Sequence, residues 1–477
     1  MPQRIFNTLS GKKEEFIQSE DGKVKIYVCG VTVYDHCHIG HARNAIIFDT
    51  IYRFFLSKNL NVLFVKNFTD IDDKIIKRAK EERIPWHEIA EKYIGSYYED
   101  MKMLNILKPT YEPRATEHIE DMINLVEILV KKKNAYIVNG DVYFSVESFP
   151  KYGELSKRNL SEMLHGARVE IDEKKRNPLD FALWKASKEG EPFWDSPFGK
   201  GRPGWHIECS AMSVKYLGIP IDIHGGGQDL IFPHHENEKA QSEAAFGKDF
   251  VKYWVHHGFV NMGKEKMSKS LGNILLIKEF LKEYEPEALR IFFLSTHYKS
   301  PIEYTEKAIE DAYQALRRLY YTLMRAKELD ADKITYEKPH DEVLLKERRF
   351  YEAMEDDFNT PYALSQLFEL SRLLNRLIDE KDESAYPYIL NARETLIRLS
   401  SIMGLLAKDP YTFEFDEKKR HLERIGLELE YVEKKIKERA EARTMRDYEK
   451  ADRIRKELLE KGIVLQDTKE GTIWRIR

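Results

Sequence analysis

The order of apolar and polar positions at the start of the chain predicts alternating strands and helices. Residues Val24 to Gly30 alternate in polarity and then turn, and Arg43 to Leu56 carries apolar side chains at helical spacing. A second strand is predicted over Asn61 to Phe68, and a helix with an acidic start follows from about Asp72 to Glu82. A strand, a helix and a strand in this order predict a parallel, doubly wound α/β sheet.

The pattern changes after residue 120. A helix and a short β-like stretch, Val142 to Val146, precede turn-rich sequence with repeated prolines and glycines. We interpret residues 121–204 as an insertion into the sheet domain, because strand-like segments resume at Ile219 to Ile223 and at Tyr253 to Val260.

The second half of the chain is predominantly helical. Few helix breakers occur between Glu306 and Asp409, and the apolar residues Ile425, Leu429 and Val432 have the spacing of one helix face. Two short β-like segments at the end of the chain predict a small hairpin. With these boundaries the predicted segments are 1–120, 121–204, 205–305, 306–405 and 406–477.

Composition narrows the class of protein. Hydrophobic residues make up 42% and charged residues 33% of the 477 residues, which is typical of soluble globular chains of about three domains. There is no apolar run long enough for a membrane span and no secretory pattern at the N-terminus, so we expect a cytoplasmic protein without membrane contact. Since the net charge is −4, any surface for nucleic acid would have to be a local basic patch.

The first group of candidate residues lies where the first strand gives way to the first helix. His38, Gly40 and His41 stand at the predicted helix start, where backbone N–H groups and the positive end of the helix dipole favour phosphate. Two imidazoles can donate further hydrogen bonds, and Gly40 lets a nucleotide approach the backbone. Taken alone, two histidines at this spacing are more often surface groups, and their place at the helix start is what favours a function.

The second group is a lysine-rich loop around Lys266 and Lys269. The loop contains small, hydroxyl-bearing and glycine residues, so it could close over a triphosphate and deliver positive charge as pyrophosphate leaves. A solvated basic loop is the alternative interpretation. The two groups, in this order and at opposite ends of the sheet region, are more specific together than either is alone.

The third group consists of metal-ligating residue types. The chain has only three cysteines, widely spaced, which argues against a disulfide framework and favours buried thiols or metal ligands. A helix that begins near Pro233 would place an imidazole and a carboxylate four residues apart on one face. Spacing alone leaves His224 and His235 open as ligands, and buried cysteines beside a polar helix are the alternative without metal. The set that would suit zinc is Cys29, Cys209, His234 and Glu238.

The first two groups resemble the two signature motifs of class I aminoacyl-tRNA synthetases, which flank one ATP site in that family. Further segments resemble the cysteinyl-tRNA synthetase family within this class, and the likeness extends over essentially the whole chain with every motif intact. These segments are residues 27–35, 67–74, 201–212 and 224–230.

The resemblance implies a fold and a reaction. The implied fold is a class I Rossmann-like parallel-sheet catalytic domain with an insertion, a helical stem-contact and bundle region, and a small C-terminal α+β anticodon-binding domain. The implied reaction is the activation of L-cysteine by ATP, with Mg²⁺ as counter-ion, to cysteinyl-adenylate, followed by transfer of cysteine to the 3′-terminal adenosine of tRNA(Cys). A monomer is implied as well.

The resemblance also assigns roles to residues. It implies one Zn²⁺ per subunit that binds the substrate thiol, so that serine is rejected without an editing site. The implied zinc ligands are Cys29, Cys209, His234 and Glu238. His38 and His41 are expected to stabilise the reacting phosphate, and Lys266 and Lys269 the departing pyrophosphate.

Five further residues are expected near the substrates. Trp205 and His224 are predicted as walls of the amino-acid pocket, and Thr69 as a residue that orients the backbone of the amino acid. Gly226 is predicted to let the adenosine approach the backbone, and Asp229 to accept hydrogen bonds from the ribose. For Trp205, a role as a core anchor is the alternative.

The arginine-rich C-terminal segment is predicted to contact the tRNA. Trp474 could stack on an unpaired base or could pin the hairpin to its neighbouring helix, and the sequence does not decide between the two. The candidates for phosphate and anticodon contacts are Arg439, Arg443, Arg446, Arg453, Arg455 and Trp474.

Two other functions fit parts of the sequence. Enzymes that ligate cysteine to a sugar amine in low-molecular-weight thiol synthesis resemble this chain, but they lack an anticodon-reading tail such as residues 406–477. A non-catalytic tRNA-binding paralogue is disfavoured because both signatures and all four proposed ligand positions are present.

Overall fold

The computed structural model describes residues 2–19, 21–159, 174–263, 274–329, 336–468 and 471–476, together with the backbone of residues 265–266. The strands in chain order are β1 (Arg4–Asn7), β2 (Lys12–Glu15), β3 (Lys23–Thr32), β4 (Asn61–Thr69), β5 (Ala135–Val138), β6 (Asp141–Phe144), β7 (Phe181–Ala186), β8 (Gly201–Pro203), β9 (Ile221–Gly227), β10 (Val251–His257), β11 (Val260–Met262), β12 (Glu265–Lys266), β13 (Ile302–Tyr304), β14 (Ile463–Thr468) and β15 (Gly471–Ile476). The α-helices are α1 (Ile39–Ser57), α2 (Asp73–Glu82), α3 (Trp86–Met103), α4 (Ile119–Lys131), α5 (Trp205–Leu217), α6 (Glu236–Phe246), α7 (Ile277–Glu283), α8 (Pro286–Leu294), α9 (Glu306–Lys327), α10 (Asp341–Glu355), α11 (Thr360–Asp379), α12 (Tyr386–Ile402), α13 (Pro410–Arg424), α14 (Leu429–Thr444) and α15 (Tyr448–Glu460).

A parallel sheet forms the centre of the N-terminal half. Its strand order is β10-β9-β3-β4, and each neighbouring pair is parallel, as predicted. Helix α1 begins at Ile39, ahead of the apolar pattern at Arg43, because the polar residue His38 caps it. The chain leaves β3 towards β4 on one side, while β9 and β10 lie on the other. Ligands of doubly wound sheets bind beyond the carboxyl ends of the strands at such a reversal.

The glycine-rich end of β9 belongs to the sheet. The apolar pattern predicted that this strand ends at Ile223, whereas it continues to Gly227 and pairs with β10. A Cβ atom at Gly225 would lie 2.2 Å from the ring of Phe48 on α1. Glycine therefore lets the helix pack directly on the strand, which a hydrophobicity pattern does not reveal.

The segment between α3 and α5 has a sheet and a core of its own. Strands β5 to β8 form an antiparallel sheet in sequence order, and α4 packs against α5 and α6. Fully buried Phe144, Leu183 and Trp184 belong to this second core. Strands β5 to β8 and helix α4 therefore form a layer of their own, and α5 packs both against this layer and against the parallel sheet.

A bundle of helices follows the parallel sheet domain and is joined to it by a shared apolar core and by a buried arginine. Helices α9 to α12 pack on one another and share a continuous apolar core with α1 and α8. Arg290 on α8 is fully buried and forms an ion pair with Asp49 on α1. It also donates to the carbonyl groups of Leu104 (2.9 Å) and Met403 (3.0 Å), so that it joins the two regions.

The C-terminal residues form a small unit of two helices and a hairpin. The sequence predicted that Ile425 and Leu429 lie on one helix, but they belong to two helices. Ile425 is at the C-terminal end of α13, and Leu429 is the first residue of α14. Gly426, with φ of 66°, lies between them and ends the first helix. Strands β14 and β15 pair as the predicted hairpin. None of the helices in the described ranges combines the length and the apolar composition that a membrane span requires.

Candidate active site and metal centre

A cavity of 410 Å³ opens at the carboxyl ends of the parallel strands. The ends of β3, β9 and β10 and the start of α1 form its walls. Of the residues predicted from the sequence, it brings together Cys29, His38, Gly40, His41, Trp205 and Asp229. Sequence analysis missed Asn44, Lys66 and His257, which also line the cavity. For Lys66, a lysine near the carboxyl end of an apolar strand was an available signal.

The two histidines at the start of α1 cap the helix. The Nδ1 atom of His38 accepts from the backbone N–H of Gly40 at 3.1 Å, and Nδ1 of His41 accepts from the N–H of His38 at 3.2 Å. The two rings stack with their centroids 3.8 Å apart. Because each Nδ1 accepts, the proton of a neutral ring is on Nε2. In this tautomer Nε2–H is the donor group of each imidazole, at the positive end of the helix.

The chain that follows the lysine-rich loop lies against the start of α1. The N–H of Ile39 donates to Leu275 at 3.0 Å, and the N–H of Ile277 donates to Cys37 at 3.0 Å. The side chain of Lys266 and the whole of Lys269 lie outside the described residues. The two sequence motifs are therefore connected through backbone hydrogen bonds on the C-terminal side of the loop.

Buried thiol, imidazole and carboxylate groups meet beside the cavity. In one group, the ligand atoms of Cys29, Cys209, His234 and Glu238 all lie within 4.8 Å of one another. The two Sγ atoms are 3.7 Å apart, Sγ of Cys29 is 3.3 Å from Oε1 of Glu238, and Nε2 of His234 is 2.9 Å from the same oxygen. A second group of the same kind replaces Cys209 and His234 by His224 and His235.

The protonation states of the acidic groups in this cluster favour the binding of a metal cation. Burial raises the pKa of Glu238, but His224 and His234 outweigh it and hold that pKa well below its usual value. Hydrogen bonding from Cys29 lowers the pKa of Cys209 to about 6. Burial alone would lower the pKa of His234, yet the Glu238 carboxylate raises it to about 10. A carboxylate and a thiolate are thus available in the same buried space, which is the charge that a divalent cation needs.

A second layer of imidazoles orients the ligands. Nδ1 of His234 lies 2.8 Å from Nδ1 of His206, whose pKa burial lowers well below its usual value. Neutral His206 can therefore accept the Nδ1 proton of His234 and direct Nε2 of His234 into the cluster. His235 is placed in the same way by His256, at 2.7 Å, and His256 by Thr8, at 2.8 Å.

The other residues predicted near the substrates occupy different positions. Trp205 is 40% exposed and stacks on His234, with centroids 4.2 Å apart. His224 is fully buried, and its Nε2 lies 2.8 Å from Oε2 of Glu238, so it contacts the cluster directly. Thr69 is buried and donates to Glu208 at 2.8 Å.

The end of β9 and His257 at the end of β10 form a further part of the cavity wall. Gly227 lines the cavity, whereas a Cβ atom at Gly226 would meet Leu230 and His235. Burial lowers the pKa of His257 to about 4, so this ring is neutral. Its Nδ1 donates to the carbonyl of Gly258 at 2.9 Å, so its Nε2 accepts from Asn44 at 3.3 Å. Asn44 thus uses its amide N–H in this hydrogen bond, and its amide oxygen remains an acceptor at the cavity wall.

The arginines predicted to contact tRNA have several different environments. Arg439 is 6% exposed and forms a two-point ion pair with Asp467, and Arg443 binds the same carboxylate at 2.7 Å. Arg446 is exposed in the turn between α14 and α15. Trp474 is 7% exposed and packs in the small C-terminal core, under the ammonium of Lys418. The observed burial favours the packing interpretation of Trp474.

Comparison with known proteins identifies the class. Residues 15–314 match the family model of the class I (C) tRNA synthetase catalytic domain, and residues 349–407 match the DALR domain. Similar solved structures include Mycobacterium tuberculosis methionyl-tRNA synthetase with methionyl-adenylate, at 16% identity and TM-score 0.57, over 80% of this chain and 89% of that chain. Another is the Agrobacterium radiobacter LeuRS-tRNA-LeuAMS complex, at 13% identity and TM-score 0.59, over 83% and 87%. The fold and the catalytic-domain match define a class I aminoacyl-tRNA synthetase.

The family within that class follows from the C-terminal unit and from full-length relatives. Residues 431–475 match the cysteinyl-tRNA ligase anticodon binding domain. The cysteine–tRNA ligase of Thermodesulfovibrio yellowstonii is 52% identical over 99% of both chains, and that of Geobacter sulfurreducens is 52% identical over 100% of both. The chain belongs to the cysteine–tRNA ligase family.

Proposed function

We propose that this chain joins L-cysteine to tRNA(Cys) in two steps, through cysteinyl-adenylate. One observation carries the proposal: a thiol-type metal cluster and a helix start suited to phosphate border the same cavity. Cys29 belongs to both, since it is a member of the cluster and a residue of the cavity wall. A substrate thiol held at the cluster would therefore reach towards a nucleotide held at the start of α1.

The first step is a displacement at the α-phosphate of ATP. The cysteine carboxylate forms a bond to the α-phosphorus, the bond between the α-phosphorus and the bridging oxygen breaks, and pyrophosphate leaves as its Mg²⁺ complex. His38 and His41 would donate their Nε2–H groups to the phosphate oxygens as negative charge develops there. Lys266 and Lys269 keep the role proposed from the sequence, which is to neutralise the departing pyrophosphate.

The four-residue cluster fits zinc. Ligand atoms on a tetrahedral zinc ion are separated by about 3.3 to 3.8 Å, given bond lengths of about 2.0 to 2.3 Å. The separations of 3.7 Å between the two thiols and 3.3 Å between thiol and carboxylate are of this size, whereas the 2.9 Å between the His234 imidazole and the Glu238 carboxylate is a direct hydrogen-bond distance. Cys29, Cys209, His234 and Glu238 would hold the ion, which when bound supplies a soft Lewis acid for the substrate thiol. Serine offers a harder and far less acidic hydroxyl, so the cluster would select cysteine without an editing site.

The second step moves cysteine to the tRNA. A ribose hydroxyl of the terminal adenosine attacks the carbonyl of the adenylate, and AMP leaves. The C-terminal unit would hold the anticodon end, where the exposed Arg446 and Arg443 are candidates for phosphate contacts. Tyr448, which is 63% exposed beside them, offers a ring for base stacking that the buried Trp474 does not.

The sugar-amine ligase described above is the second candidate. Residues 406–477 correspond to the part that such enzymes lack, and their match to an anticodon-binding domain favours tRNA as the acceptor. For the native protein we propose a cytoplasmic location, as its tRNA substrate requires, and a monomer. We propose that the five segments defined in the sequence serve as the two halves of the catalytic domain, the insertion, the helical stem-contact and bundle region and the anticodon-recognition domain.

The function is tested by pyrophosphate exchange with each of the twenty amino acids, followed by aminoacylation of tRNA(Cys). Exchange should depend on cysteine and should be far weaker with serine. Charging of tRNA(Cys) should follow, and transfer to an amino sugar should not. Cysteine-dependent exchange without charging of tRNA(Cys) would overturn the proposed acceptor.

The metal centre is tested by Cys209→Ser. Because the substitution removes a thiolate from the cluster, zinc measured by elemental analysis should fall from about one per chain to a small fraction, and cysteine activation should fall with it. Cys37→Ser is the matched control, since Cys37 is buried but is not in either four-residue group of the described residues. An unchanged zinc content in the Cys209→Ser protein would exclude the proposed ligand set.

A further inference from the structure

Lys66 occupies an unusual place for a lysine. It lies near the carboxyl end of β4, pairs with Val28 of β3 and is 7% exposed. Part of its surface lines the same cavity as His38, His41 and Trp205. It is therefore a buried cationic residue at the wall of the reaction space.

No described residue neutralises the ammonium group of Lys66. Its described contact is with the ring of Tyr97, 5.6 Å from Nζ to the centroid, and no described carboxylate lies within ion-pair distance. Asp49 and Glu112 are close enough to act electrostatically, but Asp49 is paired with Arg290 and Arg53. An ammonium buried without a counter-charge is costly, so its presence calls for a use.

The charge state of Lys66 is set by groups from every element around it. Burial lowers the pKa of Lys66 to about 8, whereas Cys37, Glu112 and Asp49 raise it. The charge of Lys66 also acts on His257 at the end of β10, and Tyr97 covers Lys66 from α3. Below pH 8 the side chain is thus mainly a cation, and an anion that enters the cavity would stabilise that form.

We propose that Lys66 is an anion-binding residue of the reaction cavity and contacts either the carboxylate of the amino acid or the α-phosphate of the nucleotide. The inference rests on the proposed function, which brings both anions into this cavity. A packing role does not require the charge. An unbranched apolar side chain would fill the same space beside Tyr97 without the cost of desolvating an ammonium group. The Nε2–H groups of His38 and His41 also favour a negatively charged ligand.

The test compares Lys66→Met with Lys66→Arg in the full-length enzyme. Methionine keeps the length and removes the charge, whereas arginine keeps the charge. The loss of a charge-assisted hydrogen bond predicts a KM for one substrate in pyrophosphate exchange that is roughly 10 to 100 times higher for Lys66→Met. Arginine should recover much of the loss. A change confined to KM for cysteine identifies the carboxylate as the ligand, and one confined to KM for ATP identifies the phosphate.

Stability separates the binding role from a structural one. Because methionine removes a buried charge, the melting temperature of Lys66→Met should be equal to or higher than that of the wild type. Lys77→Met, at a lysine whose side chain is 79% exposed on α2, should change neither KM nor melting temperature. A lower melting temperature with unchanged KM values would overturn the inference and assign Lys66 to packing.

The pH dependence gives a third measurement. Anion binding needs the protonated amine, so the affinity of the wild type for the identified substrate should fall as pH rises through about 8. In Lys66→Arg this fall should be absent, since arginine stays charged. If the wild type shows cysteine-dependent exchange but Lys66→Met is indistinguishable from it, this inference alone fails. If the wild type shows no cysteine-dependent exchange, the proposed function fails first.

Discussion

At the scale of single residues, buried cations bind backbone carbonyl groups and hold distant segments together. Arg43 is fully buried and donates to the carbonyls of Phe259 at 2.6 Å and Tyr298 at 3.2 Å. This places the end of the sheet, from which the lysine-rich loop leaves, directly on α1. Arg290 does the same between α1 and the helical bundle. The guanidinium of Arg290 leaves little free space around it.

Gly404 is the residue most constrained by this packing. It has φ of 68°, and a Cβ atom there would lie 2.4 Å from the guanidinium of Arg290. We expect Gly404→Ala to combine roughly 1 to 2 kcal/mol of backbone strain with an overpacking cost of about 1 to 3 kcal/mol. Thermal unfolding should show a clear decrease in melting temperature.

Gly247→Ala is the matched control for this substitution. Gly247 has nearly the same φ, 67°, but nothing lies within 4 Å of its Cβ position. Only the backbone strain should therefore appear. Equal losses of stability in the two variants would show that the contact with Arg290 contributes nothing.

The ligand cluster illustrates what a sequence can reveal at this scale. The residue types and the four-residue spacing of His234 and Glu238 predicted a metal-binding helix face. The irregular turn Ile231–His235 determines which imidazole points into the cluster. The two four-residue groups share Cys29 and Glu238, so spacing could not choose between their histidines. The positions of His224 and Thr69 depend on buried hydrogen bonds to acids distant in sequence, and neither spacing nor hydropathy reports such bonds.

At the scale of elements, the corner between α7 and α8 is fixed to the helices that follow. Glu285 caps α8, is 2% exposed, and forms ion pairs with Arg420 on α13 and with Lys408, the latter at 3.0 Å. Helix α7 comes directly after the lysine-rich loop. The segment that leaves the active site is therefore anchored to the helix that leads into the C-terminal unit.

Removal of the Glu285 carboxylate should weaken the attachment of the α7–α8 corner to the helices that follow. Glu285→Gln removes the buried carboxylate that Arg420 and Lys408 share, while the partly exposed Lys408 keeps its ion pair with Asp416 at 2.7 Å. The expected cost is about 1 to 3 kcal/mol, between the values for exposed and buried ion pairs. We expect a lower melting temperature and slower cysteine activation, measured by pyrophosphate exchange. The exposed Glu283, two residues away, supplies the control Glu283→Gln, for which a change within about 0.5 kcal/mol is expected. A stability of Glu285→Gln equal to that of its control would contradict an anchoring role.

The sequence predicted the presence of these helices and strands better than it predicted where they end. Periodicity identified β3, α1, β4 and the terminal hairpin, because each buries one face against a core. It placed the end of β9 too early, since glycines carry no hydropathy signal, and it joined Ile425 to α14 because a turn at Gly426 does not interrupt the apolar spacing.

At the scale of the whole molecule, the cavity and the C-terminal unit lie in different parts of the chain. The cavity is built from residues 29–260, whereas the unit with Arg446 and Tyr448 lies between residues 429 and 476. The two are connected through helix contacts and through Arg317 on α9, which donates to the carbonyl of Ile476 at 2.7 Å. Activation of the amino acid and recognition of tRNA should therefore respond to different substitutions.

Tyr448→Ala tests this separation. If its exposed ring stacks on a base, its loss should raise KM for tRNA roughly 5- to 150-fold, since a stacked base contributes about 1 to 3 kcal/mol. Cysteine-dependent pyrophosphate exchange should stay at the wild-type rate, because no tRNA takes part in it. Tyr336→Ala is the matched control: Tyr336 is 62% exposed against 63% for Tyr448, but lies outside the anticodon-binding match. Equal effects of both substitutions on aminoacylation, or a loss of exchange in Tyr448→Ala, would show that the C-terminal unit does not act as a separate reader of tRNA.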